Sequence, residues 1–313
     1  ISENGPFPHP LSAWRPVLEE TTTLESGTVS QFLTESSSKE LNLELFQEIA
    51  AYAFCAEKAQ EELVSLLADW DNFSKTMASK EVANIFRGYC CLILGDTEAA
   101  AEALVGVKRT AWGCFYYART LMEQNRPDEA LSVAEDGRDK HPDEMELQYL
   151  VAELYCRLRK TDEAAGLLEK LKKSSEGSPQ YLFLQGYLLE RTGEYGDAIQ
   201  RYREVVRLDG QHADALFRLG YILDLYGTDA DEANDDAVSA YEICVRIPPV
   251  HTAAVLNLGL LYEDRERYHD AIKCYETVLR RFPCHERATL YLGDAQASTS
   301  MFYDKDQEKR ADK

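Results

Sequence analysis

The chain has 313 residues, 45% of them hydrophobic, and its 34 basic against 55 acidic side chains leave a formal net charge of −21. That apolar content supports a long buried core, while the charge argues against direct nucleic-acid binding, which relies on clustered Lys and Arg. No run of about 18 apolar residues occurs, so no membrane span is expected.

In chain order, residues 1–38 stand apart. Pro6, Pro8, Pro10 and Pro16 bar a helix at the start, and Ser26 to Ser38 is rich in Ser and Thr, so an extended arm is expected. The opening ISENGPFPHP has neither an initiator Met nor the basic-then-apolar pattern of a secretory signal, and reads as the start of a fragment or processed form. Phe7, Leu11, Trp14, Val17 and Leu18 are more apolar than a solvated tail needs. The arm is therefore read as a linker, as a segment packing on the remainder of the chain, or as a docking peptide for another chain. Over residues 39–80, Leu45, Ile49, Tyr52, Phe54, Ala59, Leu63 and Leu67 have helical spacing, which predicts one or two capping helices.

From Glu81 onward one pattern recurs, and it is clearest from Thr252 to Pro283. There Leu258, Gly259 and Tyr262 share a face of one helix, Ala271, Tyr275 and Val278 share a face of the next, and Pro283 stops the pair. The small first-helix position is filled by Ala118, Ala152, Gly186, Gly220 and Gly259. The small residue of the second helix is Ala130, Ala164, Ala198, Ala237 and Ala271 in turn. Units start near Glu81, Ala111, Met145, Pro179, Ala213, Thr252 and Glu286, and most steps between them are 34 residues. A helix–turn–helix unit at that period resembles the tetratricopeptide repeat family. The resemblance implies an all-α, right-handed superhelical solenoid of antiparallel helix pairs, with about six units over 81–285 and a C-terminal capping helix and charged tail over 286–313.

Three features inside the solenoid invite sharper readings. His141-Pro142-Asp143 matches the tripeptide of J-domain co-chaperones, but it sits where a unit places its closing Pro and is read as a turn. The longer step from Ala213 to Thr252 carries TDADEANDD, with Asp229, Asp231, Glu232, Asp235 and Asp236. An EF-hand needs Gly and Glu where this stretch has Asn234 and Ala240, so a solvated acidic loop is expected and no metal. The eight cysteines, Cys55, Cys90, Cys91, Cys114, Cys156, Cys244, Cys274 and Cys284, show neither C-x-x-C nor zinc-finger spacing. They are read as small core residues of a chain in a reducing, cytoplasmic setting.

The family resemblance implies that first helices line a concave groove that binds peptides. Carried over by register, the groove residues are Phe115, Tyr116, Arg119, Tyr149, Phe183, Tyr187, Phe217, Arg218, Tyr221, Asn257 and Tyr291. This is an aromatic ladder with polar heads, the composition of interaction hot spots. The Lys/Asn/Arg clamp of chaperone-tail binders is replaced here by aromatic and acidic residues, which argues against that ligand. No phosphate loop, G-x-S-x-G or H-E-x-x-H occurs, so no enzyme, cofactor or catalytic residue is expected. The run from Leu279 to Lys313 also resembles the end of the repeat region in bacterial proteins whose solenoid precedes a domain similar to the RNA polymerase α C-terminal domain. That resemblance implies a transcription-associated adaptor. The expectation is thus a protein-binding scaffold whose ligand is a partner segment or its own arm. A polymerase-linked adaptor and a regulatory subunit of an enzyme complex are the alternatives, and self-association would proceed through the solenoid ends.

Overall fold

Every regular element in the computed structural model is helical among the residues it describes, which are 29–36, 39–41, 45–50, 59–226, 230–247, 251–281 and 285–311. Helix α1 (Val29–Ser36) packs on α2 (Ala59–Ala68), with a further helical stretch at 45–50 and two short turns over Trp70–Thr76. Six antiparallel pairs follow: α3/α4 (Lys80–Leu94, Thr97–Val105), α5/α6 (Ala111–Glu123, Pro127–Lys140), α7/α8 (Met145–Arg157, Thr161–Ser175), α9/α10 (Pro179–Thr192, Tyr195–Leu208), α11/α12 (Ala213–Tyr226, Ala230–Cys244) and α13/α14 (Thr252–Asp264, Tyr268–Arg281). Helix α15 (Glu286–Ala311) closes the stack against α14. Each second helix also meets the first helix of the next pair, so one core runs from Val29 to Ala295.

Local signals account for the period. Most first helices, α7 excepted, open on a side-chain cap: Ser79, Thr110 and Ser178 accept from the backbone N–H three residues on. In the later units a histidine takes over, with Nδ1 of His212, His251 and His285 accepting from Ala215, Ala254 and Ala288. Each cap satisfies one of the donors a helix start leaves unpaired. A residue one or two places after a first helix turns left-handed: Gly95 and Gly193 do so at φ 79° and 88°, and Asn125, Arg159 and Glu266 at φ 58°. This reverses the chain into the second helix.

The small positions set the crossing. Ala130, Ala164, Ala198, Ala237 and Ala271 are fully buried. Opposite them, Gly186, Gly220 and Gly259 lie directly under the rings of Tyr202, Tyr241 and Tyr275; a Cβ there would meet the ring at 2.9, 2.9 and 2.5 Å. Two of these tyrosines then donate across the pair to a carboxylate, Tyr202 to Glu190 at 2.9 Å and Tyr275 to Glu263 at 2.5 Å.

Two stretches differ from expectation. Val29–Ser36 is helical rather than extended, because Val29 and Leu33, one turn apart, are both buried against α2 and Glu62 Oε2 accepts from the Val29 N–H at 2.8 Å. Residues 1–28, with the apolar positions of the arm, lie outside the described residues. Of the acidic insertion, residues 227–229, with Asp229 among them, lie outside the described residues; from Ala230 it is an added helical turn at the start of α12 rather than a loop. Asp235 and Asp236 there pair with Arg265 and Arg203. Among the described residues, no group of three or more His, Cys, Asp or Glu stands where it could hold a metal ion. No described helix is long and apolar enough to cross a membrane.

His141-Pro142-Asp143 forms the link after α6, where His141 caps the helix end and its Nε2 lies 2.9 Å from the Arg109 carbonyl. The six described cysteines are free and buried. Burial pushes the Cys156 and Cys274 thiols up to about 12, away from reactive thiolate. Cys55 and Cys284 lie outside the described residues.

Candidate functional site

First helices of successive pairs touch along one side of the stack, as α3 with α5, α5 with α7 and α7 with α9. The start of this inner face is covered by the chain itself. Phe46, in the 45–50 helical stretch, packs among Phe86, Tyr89, Trp112 and Tyr116, with its ring centroid 4.4 Å from that of Tyr116. Its carbonyl accepts from the Tyr89 hydroxyl at 2.5 Å. Phe115 and Tyr116 are consequently buried.

Further along, several ladder residues join one repeat to the next. Phe183 is buried and stacks on His212. Half-buried Phe217 stacks on His251 with ring centroids 4.0 Å apart. The Asn257 amide is buried and donates to the Tyr241 hydroxyl at 2.9 Å. Tyr291 lies against Tyr275, whereas Tyr149 donates within its own pair, to Ser175 Oγ at 2.9 Å. Burial, with the nearby Arg218 cation acting in the same direction, pushes the His251 imidazole down to about 4 and keeps it neutral in this stack.

The charged members are paired. Arg119 and Glu153, 34 residues apart and so at the same place in adjacent units, form an ion pair at 3.1 Å. Arg218 donates to Glu190 Oε1 at 2.9 Å and lies 4.4 Å over the Tyr187 ring, while Tyr202 donates to Glu190 Oε2. Tyr187 is thereby buried. Of the residues expected in the groove, Arg119, Tyr149, Phe217, Arg218, Tyr221 and Tyr291 keep part of their surface open.

Sequence reasoning missed the ends of the first helices. Arg159, Glu190, Arg191, Tyr195, Tyr221 and Tyr226 line a cavity of about 240 Å³ where α7, α9 and α11 finish. Tyr195 and Tyr226 form one wall, stacked 3.8 Å apart and nearly parallel. The signal was present in the twelfth and thirteenth places of the repeat register, held by Glu190 and Arg191.

Two sequence models of the tetratricopeptide repeat match this chain, one over residues 114–186 and the other over 183–243 and 256–300. The chain belongs to the tetratricopeptide repeat family. Its repeats therefore form a scaffold for protein–protein contact. Among curated proteins it is similar to the photosystem I assembly protein Ycf3 of Prochlorococcus marinus strain SARG / CCMP1375, at 25% identity over 105 residues, 33% of this chain and 60% of that one. The Ycf3 of strain NATL2A is 26% identical over 108 residues, covering 34% and 61%. The chain thus spans about 60% of the length of these relatives. Among solved structures it resembles the APC/C hetero-tetramer Cut9–Hcn1, with a TM-score of 0.52 and 13% identity over 86% of this chain and 52% of that one. It is also similar to TTC0263, a tetratricopeptide protein of Thermus thermophilus, with a TM-score of 0.49 and 16% identity over 60% and 100% of the two chains. At 13% identity the likeness to Cut9–Hcn1 is one of fold.

Proposed function

We propose that this protein is a binding scaffold that takes an extended segment of a partner protein along the inner face from α5 to α13. The observation that carries this reading is a set of partly open side chains at groove places of the repeat register, Arg119 on α5, Tyr149 on α7 and Phe217, Arg218 and Tyr221 on α11. Their backbones are held by a continuous core, so the surface exists before the ligand arrives and only the ligand must be ordered. Large aromatics that are half buried, with charged groups beside them, bind by apolar contact and select by hydrogen bonding. Because Phe46 fills the first two units, the open part of the face starts near Arg119.

A display library of 12-residue peptides selected on the full chain tests this. Selected peptides are expected to bind a Tyr149→Ala/Tyr221→Ala variant about tenfold or more weakly by fluorescence anisotropy, with the variant's helical circular dichroism unchanged. Equal affinity for both proteins would move the binding surface off the inner face.

A further inference from the structure

Arg191 is set apart from the other arginines of the inner face. Arg119 and Arg218 each have a carboxylate partner. Among the described residues none pairs with Arg191, in a chain that carries 55 acidic side chains. Its guanidinium is nevertheless fixed: Nε donates to the Cys156 carbonyl at 3.2 Å, and the group lies 5.7 Å from the Tyr187 ring centre. Arg191 and Arg159 both line the 240 Å³ cavity.

The negative groups nearest this cavity are already engaged. Both oxygens of Glu190 accept, one from Arg218 and one from Tyr202. The carbonyls that end α9 are capped as well, Leu189 by the Glu194 N–H at 2.9 Å and Glu190 by the Gly193 N–H at 3.2 Å. With Glu190 engaged by Arg218 and Tyr202, Arg191 lines the cavity as a cation, with a stacked Tyr195–Tyr226 wall beside it. The volume is below the ~300–1,000 Å³ typical of small-molecule sites and suits one side chain of a larger ligand.

Resting on the scaffold reading above, we propose that this cavity is a specificity pocket for an Asp or Glu side chain of the bound peptide. A guanidinium fixed at Nε presents its two other nitrogens as a fork that matches a carboxylate. The net charge of −21 does not forbid this, because charges beyond about 8 Å are screened at physiological salt while the pair in contact is not.

The peptides selected on the full chain decide it. They are expected to share an acidic residue at one place, and its replacement by the matching amide should weaken binding about tenfold or more. Arg191→Gln should cause the same loss and make the protein indifferent to that replacement. Selection on Arg191→Glu should enrich Lys or Arg at the same place, a gain that a misfolded protein cannot give. Selected peptides with no shared acid, or with equal affinity for Arg191→Gln, would overturn the pocket and leave the scaffold standing. A loss on amidating the peptide C-terminus, without one on the acid-to-amide change, would overturn the side-chain assignment. If the wild type selects no peptide at all, the scaffold reading falls and the pocket with it.

Discussion

Glycine at position 259 sits in a helix, where alanine is favoured by about 1 kcal/mol. Tertiary contact reverses that preference. A Cβ at Gly259 would lie 2.5 Å from Cε1 of Tyr275, whose ring is buried and whose hydroxyl is tied to Glu263, so the ring cannot swing away. Overpacking of that kind costs about 1–3 kcal/mol. Gly259→Ala is expected to lower stability by about 1–2 kcal/mol in urea denaturation, whereas Gly196→Ala, with nothing within 4 Å of the new atom, should raise it. A stabilised Gly259→Ala would mean that the close helix crossing is not needed.

His251 is the other residue whose surroundings decide its behaviour. Burial, with Arg218 adding to it and Asp214 opposing, lowers its pKa from 6.5 to about 4. As pH falls through 6.5 the unfolded chain takes up a proton that the folded chain refuses until about 4. Stability is therefore full above pH 6.5 and is lost between 6.5 and 4, by up to about 3 kcal/mol. His251→Asn keeps a capping side chain but cannot titrate. The difference in urea midpoint between wild type and this variant should change across that window; a difference that is the same at about pH 7 and about pH 5 would refute the assignment.

Between elements, the joint of α9 with α11 depends on polar groups as well as apolar ones. Glu190 is 6% exposed in its side chain and Arg218 17%, so removing the arginine strands a buried carboxylate. Arg218→Ala is expected to cost about 3–5 kcal/mol. Arg119→Ala should cost less, about 1–3 kcal/mol, because the Glu153 carboxylate it leaves is 13% exposed against 6% for Glu190. Equal losses in chemical denaturation would show that burial does not separate the two pairs. The insertion before Ala237 illustrates the same scale. The insertion is absorbed without disturbing Tyr241 over Gly220, because α12 starts about one turn earlier relative to the crossing, ahead of Ala237, and the added turn does not enter it.

For the whole molecule, the main contacts of each pair among the described residues are with its neighbours, so stability is close to a sum of unit and interface contributions along the stack. Charge does not obey that locality at low salt. With a net charge of −21 and a Debye length near 30 Å at about 0.01 M, like charges repel across several units; at about 0.15 M the range falls to about 8 Å. The urea midpoint is expected to rise between those two salt concentrations. A fall would mean that the surface ion pairs, such as Arg203 with Asp236, outweigh the repulsion.

The sequence by itself determined the helix pairs and their period. The signals are short-range: Ser79, Thr110 and Ser178 before a first helix, and alanine or glycine at the crossing, each acting through atoms within a turn or two of its own position. The repeat register also sets Tyr149, Phe217 and Tyr221 at the first-helix places that the family resemblance implies for the groove. Only the tertiary structure decided which of those side chains remain open. Phe46 covers Tyr116 from 70 positions away, and Phe183 and Phe217 are taken up by the capping histidines of the following units. The cavity beside Arg191 likewise needs three helix ends drawn from three units. Such contacts depend on how far one pair is rotated on the next, a quantity set by the summed packing of both and carried by no single stretch of chain.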